Sequence, residues 1–364
     1  REIAGELLSG TDHDVLQYGP TRGYQPLLES IIPLLAARHI TATLDELLIT
    51  SGSQQGLDLV ARVLVTPGDV VLVDLPAYTG AISAFRNAQA HLVGVTQDAD
   101  GINLDDLDEA CRRERRAGRR VNLLYLVPNF QNPTGLLLGI EKRRQLVEWA
   151  ERRDVLIVED DPYGSLYFDD AAGAEETRAI QAHDRYGRVI YLSTFSKTLA
   201  PGFRVGWMVA PATLIDRFET AKQSVDLMTG SLDQRIVHEA VRRGALERLA
   251  PTLRDIYRRK RDVMQTALRA ELGDRLRWAA PKGGFFLWAT LPENCDDLTL
   301  LSRALDERLV FVIGSAFYVD GTGHDRIRLS FSAPTAERIQ EGVRRLAAAM
   351  NTSAVSPAKA GHYA

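Results

Sequence analysis

The sequence predicts an α/β fold in which a mostly parallel sheet is covered by helices on both faces. Short β-rich runs alternate with amphipathic helical segments over roughly the first 210 residues, the pattern of successive strand–helix–strand units. The strand runs are continuously apolar, as expected where both faces of a sheet are buried. A chain of 364 residues can form one large domain of this kind together with a smaller one.

The predicted strands and helices fall into two groups along the chain, which we interpret as two domains. Seven strands are predicted for the large sheet, at 47–50, 70–74, 91–95, 121–127, 155–159, 189–194 and 205–210. Helices are predicted at 1–8, 54–64, 104–117 and 141–153, and longer ones at 212–227, 232–249 and 252–272. Further strands are predicted at 284–289, 310–313 and 327–332. We therefore expect a large domain over 1–250, a small α+β domain over 251–350 and a disordered tail over 351–364.

Composition and charge indicate an ordinary globular protein. Hydrophobic residues make up 45% and charged residues 25% of the chain, and a net charge of −4 offers no basic surface for nucleic acid. No apolar run approaches the roughly 20 residues that span a bilayer, and no signal peptide is recognised. Cys111 and Cys295 lie in neither a zinc nor a disulfide spacing. We expect a cytoplasmic protein without a nucleic-acid or membrane partner.

Lys197 is the most informative single residue of the chain. It follows the apolar strand at 189–194 and precedes a Pro-Gly turn. Burying an ammonium group without a partner is costly, so a lysine at the end of a buried strand is rarely structural. Apolar surroundings lower the pKa of the ammonium and favour the neutral amine, which can form a Schiff base with a carbonyl. The position indicates a lysine nucleophile.

Other predicted strands also end in residues that can contact a ligand. The carboxyl ends of parallel strands lie at one edge of a sheet, where α/β proteins bind ligands. The turn at 50–56 opens a helix whose N–H groups favour a phosphate, although a plain helix start capped by Ser51 or Ser53 explains it too. Asn132 lies in a turn after the fourth strand, and Tyr78 follows the second either as a ligand contact or as a packing residue.

Three consecutive carboxylates, Glu159, Asp160 and Asp161, close the fifth strand. They repel one another unless a cation lies close. A metal ion would serve, but no histidine or further acidic cluster lies near in sequence, and a protonated pyridine nitrogen would serve equally well. A lysine, an acid, an aromatic ring, an amide and a phosphate site together match the needs of pyridoxal 5′-phosphate (PLP).

The chain resembles the class I and II aminotransferases of PLP fold type I. The likeness is greatest to the branch of 2-aminoadipate and kynurenine aminotransferases and to the aminotransferase-like part of MocR-type regulators. It covers about residues 1–350 through motifs at 16–20 (LQYGP), 51–55 (SGSQQ), 76–78 (PAY), 131–135 (QNPTG), 160–163 (DDPY), 194–197 (TFSK) and 328–332 (RLSFS). The resemblance implies PLP and a ping-pong transfer of an amino group between an amino acid and a 2-oxo acid, with glutamate and 2-oxoglutarate as the expected shared pair.

The resemblance also implies catalytic roles. Lys197 would form the Schiff base and then move the proton at the substrate Cα, while Asp160 would pair with the pyridinium nitrogen. Tyr78 would stack on the ring. Asn132 and Tyr163 would hydrogen-bond the 3-oxygen of the ring.

Binding roles follow from the same likeness. The residues that would hold the phosphate are Ser53, Gln54, Thr194, Ser196 and Arg204. Arg328 would clamp the substrate carboxylate beside Asn132, because a guanidinium forms paired hydrogen bonds with it. Tyr18 would reach the phosphate of the neighbouring subunit's cofactor, which predicts a homodimer with shared active sites.

Two alternatives retain the same motifs. One is another fold type I enzyme, such as a decarboxylase, a lyase or a cyclase, which product analysis would separate from an aminotransferase. The other is the effector domain of a MocR-type transcription regulator, which would carry a DNA-binding segment before Arg1. The motifs leave the amino donor, the acceptor and the pathway open.

Overall fold

A seven-stranded sheet forms the centre of the larger part of the structure, a computed structural model that describes residues 1–11 and 13–351. Its strands are β1 (Leu47–Thr50), β2 (Val70–Asp74), β3 (His91–Val95), β6 (Val121–Leu126), β7 (Leu156–Asp160), β8 (Val189–Thr194) and β9 (Gly206–Val209). Their spatial order is β1-β9-β8-β7-β6-β2-β3. Strand β9 runs antiparallel to both neighbours and the other pairs are parallel. The predicted mostly parallel sheet is confirmed. A short hairpin of β4 (Gln97–Asp98) and β5 (Gly101–Ile102) stands apart from it.

Helices cover this sheet on both faces. The helices of the described chain are α1 (Glu2–Ser9), α2 (Gln25–Ala36), α3 (Ser53–Leu64), α4 (Thr79–Asn87), α5 (Leu104–Arg116), α6 (Ile140–Arg153), α7 (Ala212–Val225), α8 (Ser231–Arg242), α9 (Ala245–Leu272), α10 (Asp297–Asp306) and α11 (Ala336–Asn351). The single helix predicted over 232–249 is wrong, because Gly244 at φ +70° separates α8 from α9. Helices α2 and α4 were not predicted.

Strand β2 shows why the strands of this sheet are apolar throughout. Val71 and Val73 pack into the cluster that contains residues of α3 and α4. Val70 and Leu72 point to the opposite face, into the cluster that contains residues of α5 and α6. Successive strand residues face opposite sides, so a strand covered on both sides needs an apolar residue at every position.

A second sheet and a second core lie later in the chain. The antiparallel strands β10 (Arg277–Trp278), β11 (Phe286–Thr290), β13 (Arg326–Ser330) and β12 (Val312–Ile313) lie side by side in that order. Their core includes residues of α9, α10 and α11. Helix α9 runs continuously across residue 250, so the boundary between the predicted domains stays a prediction.

Of the predicted tail, Asn351 is the last residue of α11, and residues 352–364 lie outside the described residues. Within residues 1–11 and 13–351, no helix is both long enough and apolar enough to cross a membrane.

Candidate active site

A cavity of about 200 Å³ lies at the carboxyl edge of the large sheet. Strands β1, β2, β6, β7 and β8 run parallel, so the segments that follow them meet at this edge. Of the residues predicted from the sequence, those that line the cavity are Ser53, Gln54, Tyr78, Asn132, Asp160, Tyr163, Thr194, Ser196, Lys197 and Arg204. Val127, Pro162, Pro201 and Phe286 complete the lining. The two remaining predicted residues, Arg328 and Tyr18, are not part of it.

Lys197 lies in the turn that follows β8, three residues after the last strand residue, and is half-buried in the wall of the cavity. Burial lowers the pKa of its ammonium group, and the positive charges of Arg204 and Arg328 lower it further. The negative charge of Asp160 acts in the opposite direction. The net lowering increases the fraction of neutral amine, the form that attacks a carbonyl carbon.

Asp160 ends β7 and is only 2% exposed. The phenol of Tyr125 donates a hydrogen bond of 3.1 Å to its Oδ2 atom. Its Oδ1 atom is buried and has no hydrogen-bond partner among the described residues. Burial raises the pKa of this carboxyl to about 7, against the opposing hydrogen bond from Tyr125. A buried, unpartnered oxygen in a cavity wall calls for a donor from a ligand.

The buried carboxyl predicts a pH dependence of stability in the cofactor-free protein. The pKa of Asp160 lies above its ordinary value of 3.8, so the folded state binds this proton more tightly than the unfolded state between those values. The resulting stabilisation is present at low pH and is lost as the pH rises towards 7. Between pH 5 and pH 7 the wild type should lose about 2 kcal/mol more of its unfolding free energy than Asp160→Asn.

Denaturant titrations of both proteins at the two pH values measure this difference. Asp154→Asn is the matched control, because it removes an exposed carboxylate and should keep the wild-type pH dependence. Equal losses in the wild type and in Asp160→Asn would show that the Asp160 carboxyl does not carry the effect.

The three consecutive carboxylates have separate partners. Glu159 accepts hydrogen bonds of 2.8 Å from the two backbone N–H groups at 180–181. Asp161 accepts a bond of 2.6 Å from Arg38 and one of 2.8 Å from the amide of Asn129. The sequence predicted a cation close to these carboxylates, and the structure places the guanidinium of Arg38 beside Asp161. Within the described residues, no group of three or more His, Cys, Asp or Glu side chains could hold a metal ion.

A turn with donor groups suited to an anion, here called the anion cradle, is formed by residues 51–54 together with Ser196 and Arg204. Gly52 is the N-cap of α3 at φ +78°, and no side chain caps the helix, so the capping role considered for Ser51 or Ser53 is wrong. The first N–H groups of α3 have no partner within the helix. Arg204 donates to the backbone oxygen of Ser51 and to the hydroxyl of Ser196, both at 3.3 Å. A Cβ atom at Gly52 would collide with this guanidinium.

Arg328 reaches the site from β13 of the second sheet. Its Nη1 atom donates a hydrogen bond of 2.6 Å to Oδ1 of Asn132, and its guanidinium lies 4.3 Å from the ring centre of Phe286. Its Nε atom is buried without a hydrogen-bond partner among the described residues. The side chain is thus held in place with one inward donor free, which suits a carboxylate.

The tyrosines of the site differ in exposure. The hydroxyl of Tyr78 donates to Oε1 of Gln54 at 3.3 Å, and burial raises the pKa of this phenol. Tyr163 is buried, and burial raises the pKa of its phenol above the ordinary range. Tyr18 is 82% exposed. The backbone N–H of Gly19 beside it lies 2.7 Å from Sδ of Met228.

Tyr125 and Phe286, which contact the predicted residues Asp160 and Arg328, were not found from the sequence. Tyr125 is buried in β6 and bonds Asp160; a phenol in a mostly apolar strand was the available signal. Phe286 lies in β11 and carries no polar group, so its sequence context gave no sign of a role.

Known proteins resemble the chain over nearly its whole length. Residues 2–346 match the family model described as aminotransferase class I and II. Aromatic-amino-acid aminotransferase 1 of Thermococcus litoralis is 40% identical, over 95% of this chain and 82% of its own. The 2-aminoadipate transaminase of Thermus thermophilus is also 40% identical, over 96% and 85% respectively.

Solved structures agree with these relatives. The crystal structure of a kynurenine aminotransferase from Pyrococcus horikoshii in complex with PMP superimposes with a TM-score of 0.90 at 39% identity, covering 96% of this chain and 86% of that one.

A helix-turn-helix transcription regulator of Bacillus subtilis is a more distant relative, 31% identical over 90% of this chain and 66% of its own.

Proposed function

This chain belongs to the class I and II aminotransferase family, and on that premise we propose the roles of its site residues and the class of its substrates. It is a PLP-dependent aminotransferase of fold type I that moves an amino group between an amino acid and a 2-oxo acid. The predicted fold type, cofactor and reaction are confirmed. The aminotransferase prediction holds over the decarboxylase, lyase, cyclase and regulator alternatives, although regulators occur among the more distant relatives.

The site residues fit PLP in three respects. The unpartnered Oδ1 atom of Asp160 can accept a hydrogen bond from a protonated ring nitrogen. The anion cradle offers helix N–H groups and a guanidinium for a phosphate. Lys197 lines the same cavity and can bond to an aldehyde carbon. PLP, when bound, supplies the electron sink that makes the substrate Cα proton removable.

The observation that carries the proposal is that Lys197 and Asp160 line one cavity, and that Arg328 contacts two further lining residues, Asn132 and Phe286. Lys197 would hold the cofactor covalently and, once the substrate amine has displaced it, would move the proton at the substrate Cα. Asp160, fixed by Tyr125, would keep the ring nitrogen protonated. Tyr78 would stack on the ring, and Asn132 and Tyr163, which also line the cavity, would hydrogen-bond its 3-oxygen.

We assign phosphate binding to the anion cradle. The backbone N–H groups of Ser53 and Gln54 open α3, whose positive dipole end favours an anion. The hydroxyls of Thr194 and Ser196 lie 2.8 Å apart at the same edge of the sheet, and Arg204 supplies the charge. These donors orient the cofactor without taking part in proton transfer.

Arg328 is the proposed binding group for the substrate carboxylate. Its fixed position beside Asn132 and over Phe286 lowers the cost of ordering it when substrate binds. Arg328 bonds Asn132, which lines the same cavity as Lys197, so a carboxylate held by the buried Nε–H group would keep the substrate close to that cavity.

We propose that aromatic and long acidic 2-amino acids are the amino donors. The names of the relatives support this class, since they refer to aromatic amino acids, 2-aminoadipate and kynurenine. The aromatic side chains of Phe286 and Tyr163 beside the cavity suit a flat or elongated side chain. Glutamate and 2-oxoglutarate remain the expected shared pair.

A donor panel tests the proposed substrates. The enzyme with bound PLP is mixed separately with phenylalanine, tyrosine, kynurenine, 2-aminoadipate, glutamate, alanine and lysine. The loss of the absorbance of enzyme-bound PLP and the amount of 2-oxo acid formed are both measured. Aromatic and long acidic donors should react at least about tenfold faster per unit concentration than alanine and lysine, a difference of 1.4 kcal/mol. If alanine or lysine reacts fastest, the proposed donor class is wrong.

We further propose a homodimer in which Tyr18 contacts the partner subunit's cofactor phosphate. The support is that Tyr18 is highly exposed in the single chain and lies beside Leu16, which is 74% exposed. Exposed apolar side chains of this kind are common at protein interfaces. The cytoplasmic location and the absence of a nucleic-acid partner stay predictions.

A further inference from the structure

A group of polar side chains around a buried lysine, here called the lysine cluster, adjoins the anion cradle; its members are Gln55, Lys222, Asp226 and Thr229. Lys222 lies near the end of α7 and is completely buried, which is rare for lysine. Its Nζ atom lies 2.7 and 2.9 Å from the two carboxylate oxygens of Asp226. It also donates to Oε1 of Gln55 at 2.8 Å and to the hydroxyl of Thr229 at 3.2 Å. The ammonium group is therefore fully satisfied inside the protein.

The lysine cluster holds Ser51, the first residue of the anion cradle, at two points. The backbone N–H of Ser51 donates to Oε1 of Gln55, the same atom that accepts from Lys222. The hydroxyl of Ser51 donates to Oδ2 of Asp226 and lies 3.2 Å from the hydroxyl of Thr229, two further partners of Lys222. Gln55 and Asp226 are also bonded to each other at 2.7 Å. All contacts of Ser51 with the lysine cluster thus end on groups that also bind the ammonium group.

The turn that opens α3 depends on these contacts because no side chain within the turn caps the helix. Gly52 lies at φ +78° and no side chain caps α3, so the local sequence does not set the direction of the following N–H groups. The backbone oxygen of Ser51 accepts from Arg204, so a shift of Ser51 would move the guanidinium as well. Displacement of this one residue would misplace both kinds of phosphate donor.

We infer that Lys222 is a positioning residue for the cofactor phosphate, acting through Gln55, Asp226 and Ser51 on the anion cradle. The inference rests on the proposed function, in which the anion cradle binds the PLP phosphate. Lys222 touches neither the cavity nor the reacting atoms. Its effect is therefore on the phosphate and not on the ring or the aldehyde.

Comparison of PLP with pyridoxal, which lacks the phosphate, isolates this effect. Dissociation constants of both compounds are measured by absorbance on the cofactor-free protein. In Lys222→Met the constant for PLP should rise at least about tenfold, the size expected when hydrogen bonds to a charged group are lost. The constant for pyridoxal should change less than about twofold. A purely structural role would not distinguish the two ligands.

Three further variants make the result unambiguous. Ser51→Ala keeps the pair of Lys222 and Asp226 and removes one link to the anion cradle, so it serves if Lys222→Met does not fold; we expect PLP binding to weaken roughly threefold. Arg261→Met removes another buried cation, paired with Asp170 at 2.6 Å outside the cavity lining, and should leave the PLP-to-pyridoxal ratio unchanged. Arg204→Gln removes a proposed phosphate donor and should lower the ratio.

The outcomes separate the inference from the proposal beneath it. If Arg204→Gln lowers the preference for PLP while folded Lys222→Met and Ser51→Ala keep it, the role of Lys222 is overturned and the phosphate site stands. If Arg204→Gln leaves the preference unchanged, the proposed phosphate site is wrong and the inference fails with it. Equal weakening of PLP and pyridoxal in Lys222→Met would also overturn the positioning role.

Discussion

Replacing Lys197 with alanine is expected to lower kcat by at least about 10⁴-fold, because the residue proposed to bond the cofactor is also the one proposed to move the proton at the substrate Cα. The anion cradle and Asp160 are unchanged in this variant, so PLP should still bind, but reversibly. Dialysis should then remove PLP from Lys197→Ala and leave most of it on the wild type. Single-turnover kinetics with an aromatic amino acid measure the loss of proton transfer.

Chemical rescue sharpens this test. A small primary amine such as methylamine can occupy the space of the missing side chain and should restore part of the rate in Lys197→Ala. Lys282→Ala is the matched control, since it removes an exposed lysine outside the cavity lining and should keep wild-type activity. Turnover of Lys197→Ala above about one per cent of the wild type without added amine would assign proton transfer to another group.

Replacing Arg328 with alanine is expected to reduce kcat/KM by roughly 30- to 5,000-fold, equivalent to about 2–5 kcal/mol, mainly through a higher KM. The guanidinium is largely buried, and its partner Asn132 would lose its donor as well. A substrate carboxylate would then enter a partly buried site without a counter-charge. Steady-state kinetics with phenylalanine or 2-aminoadipate provide the measurement.

Two comparisons assign this loss to the carboxylate. Arg326→Ala removes an arginine two positions earlier on β13, which pairs with Asp325 outside the cavity lining, and should have wild-type kinetics. 2-Phenylethylamine is phenylalanine without the carboxylate, so its slow reaction with the enzyme should be similar in Arg328→Ala and the wild type. An equal loss for both compounds would mean that Arg328 does not bind the carboxylate.

The large sheet was predictable because its strands are buried on both faces. Every strand predicted for this sheet is present, because a short, continuously apolar run is buried most completely in a strand that is covered on both faces. The helices were predicted less completely. The apolar period continues on both sides of Gly244, so nothing local except that glycine marks the break between α8 and α9. Pro33 inside α2 likewise weakened the helical pattern there.

Some site residues can be recognised from their local sequence, whereas others are recognised only by their contacts with residues far away in the chain. Lys197 and Asp160 are polar groups at the ends of apolar strands, which is unusual enough to be seen in the sequence. Tyr125 is 35 residues from Asp160, Arg38 is 123 from Asp161 and Lys222 is 167 from Gln55. Such pairings are made by the fold, so a single sequence carries no local sign of them.

Arg328 lies on the second sheet, which follows the continuous helix α9 in the chain. This position has a consequence for how the substrate range of the enzyme can change in evolution. The groups proposed to hold the cofactor lie at the carboxyl edge of the first sheet, whereas the group proposed to bind the substrate carboxylate lies on a second sheet with its own core. Substitutions that reshape β11, β12 or β13 can alter which amino acids are accepted while the chemistry at Cα is retained. The architecture thus allows new substrate ranges to arise without a loss of the reaction itself.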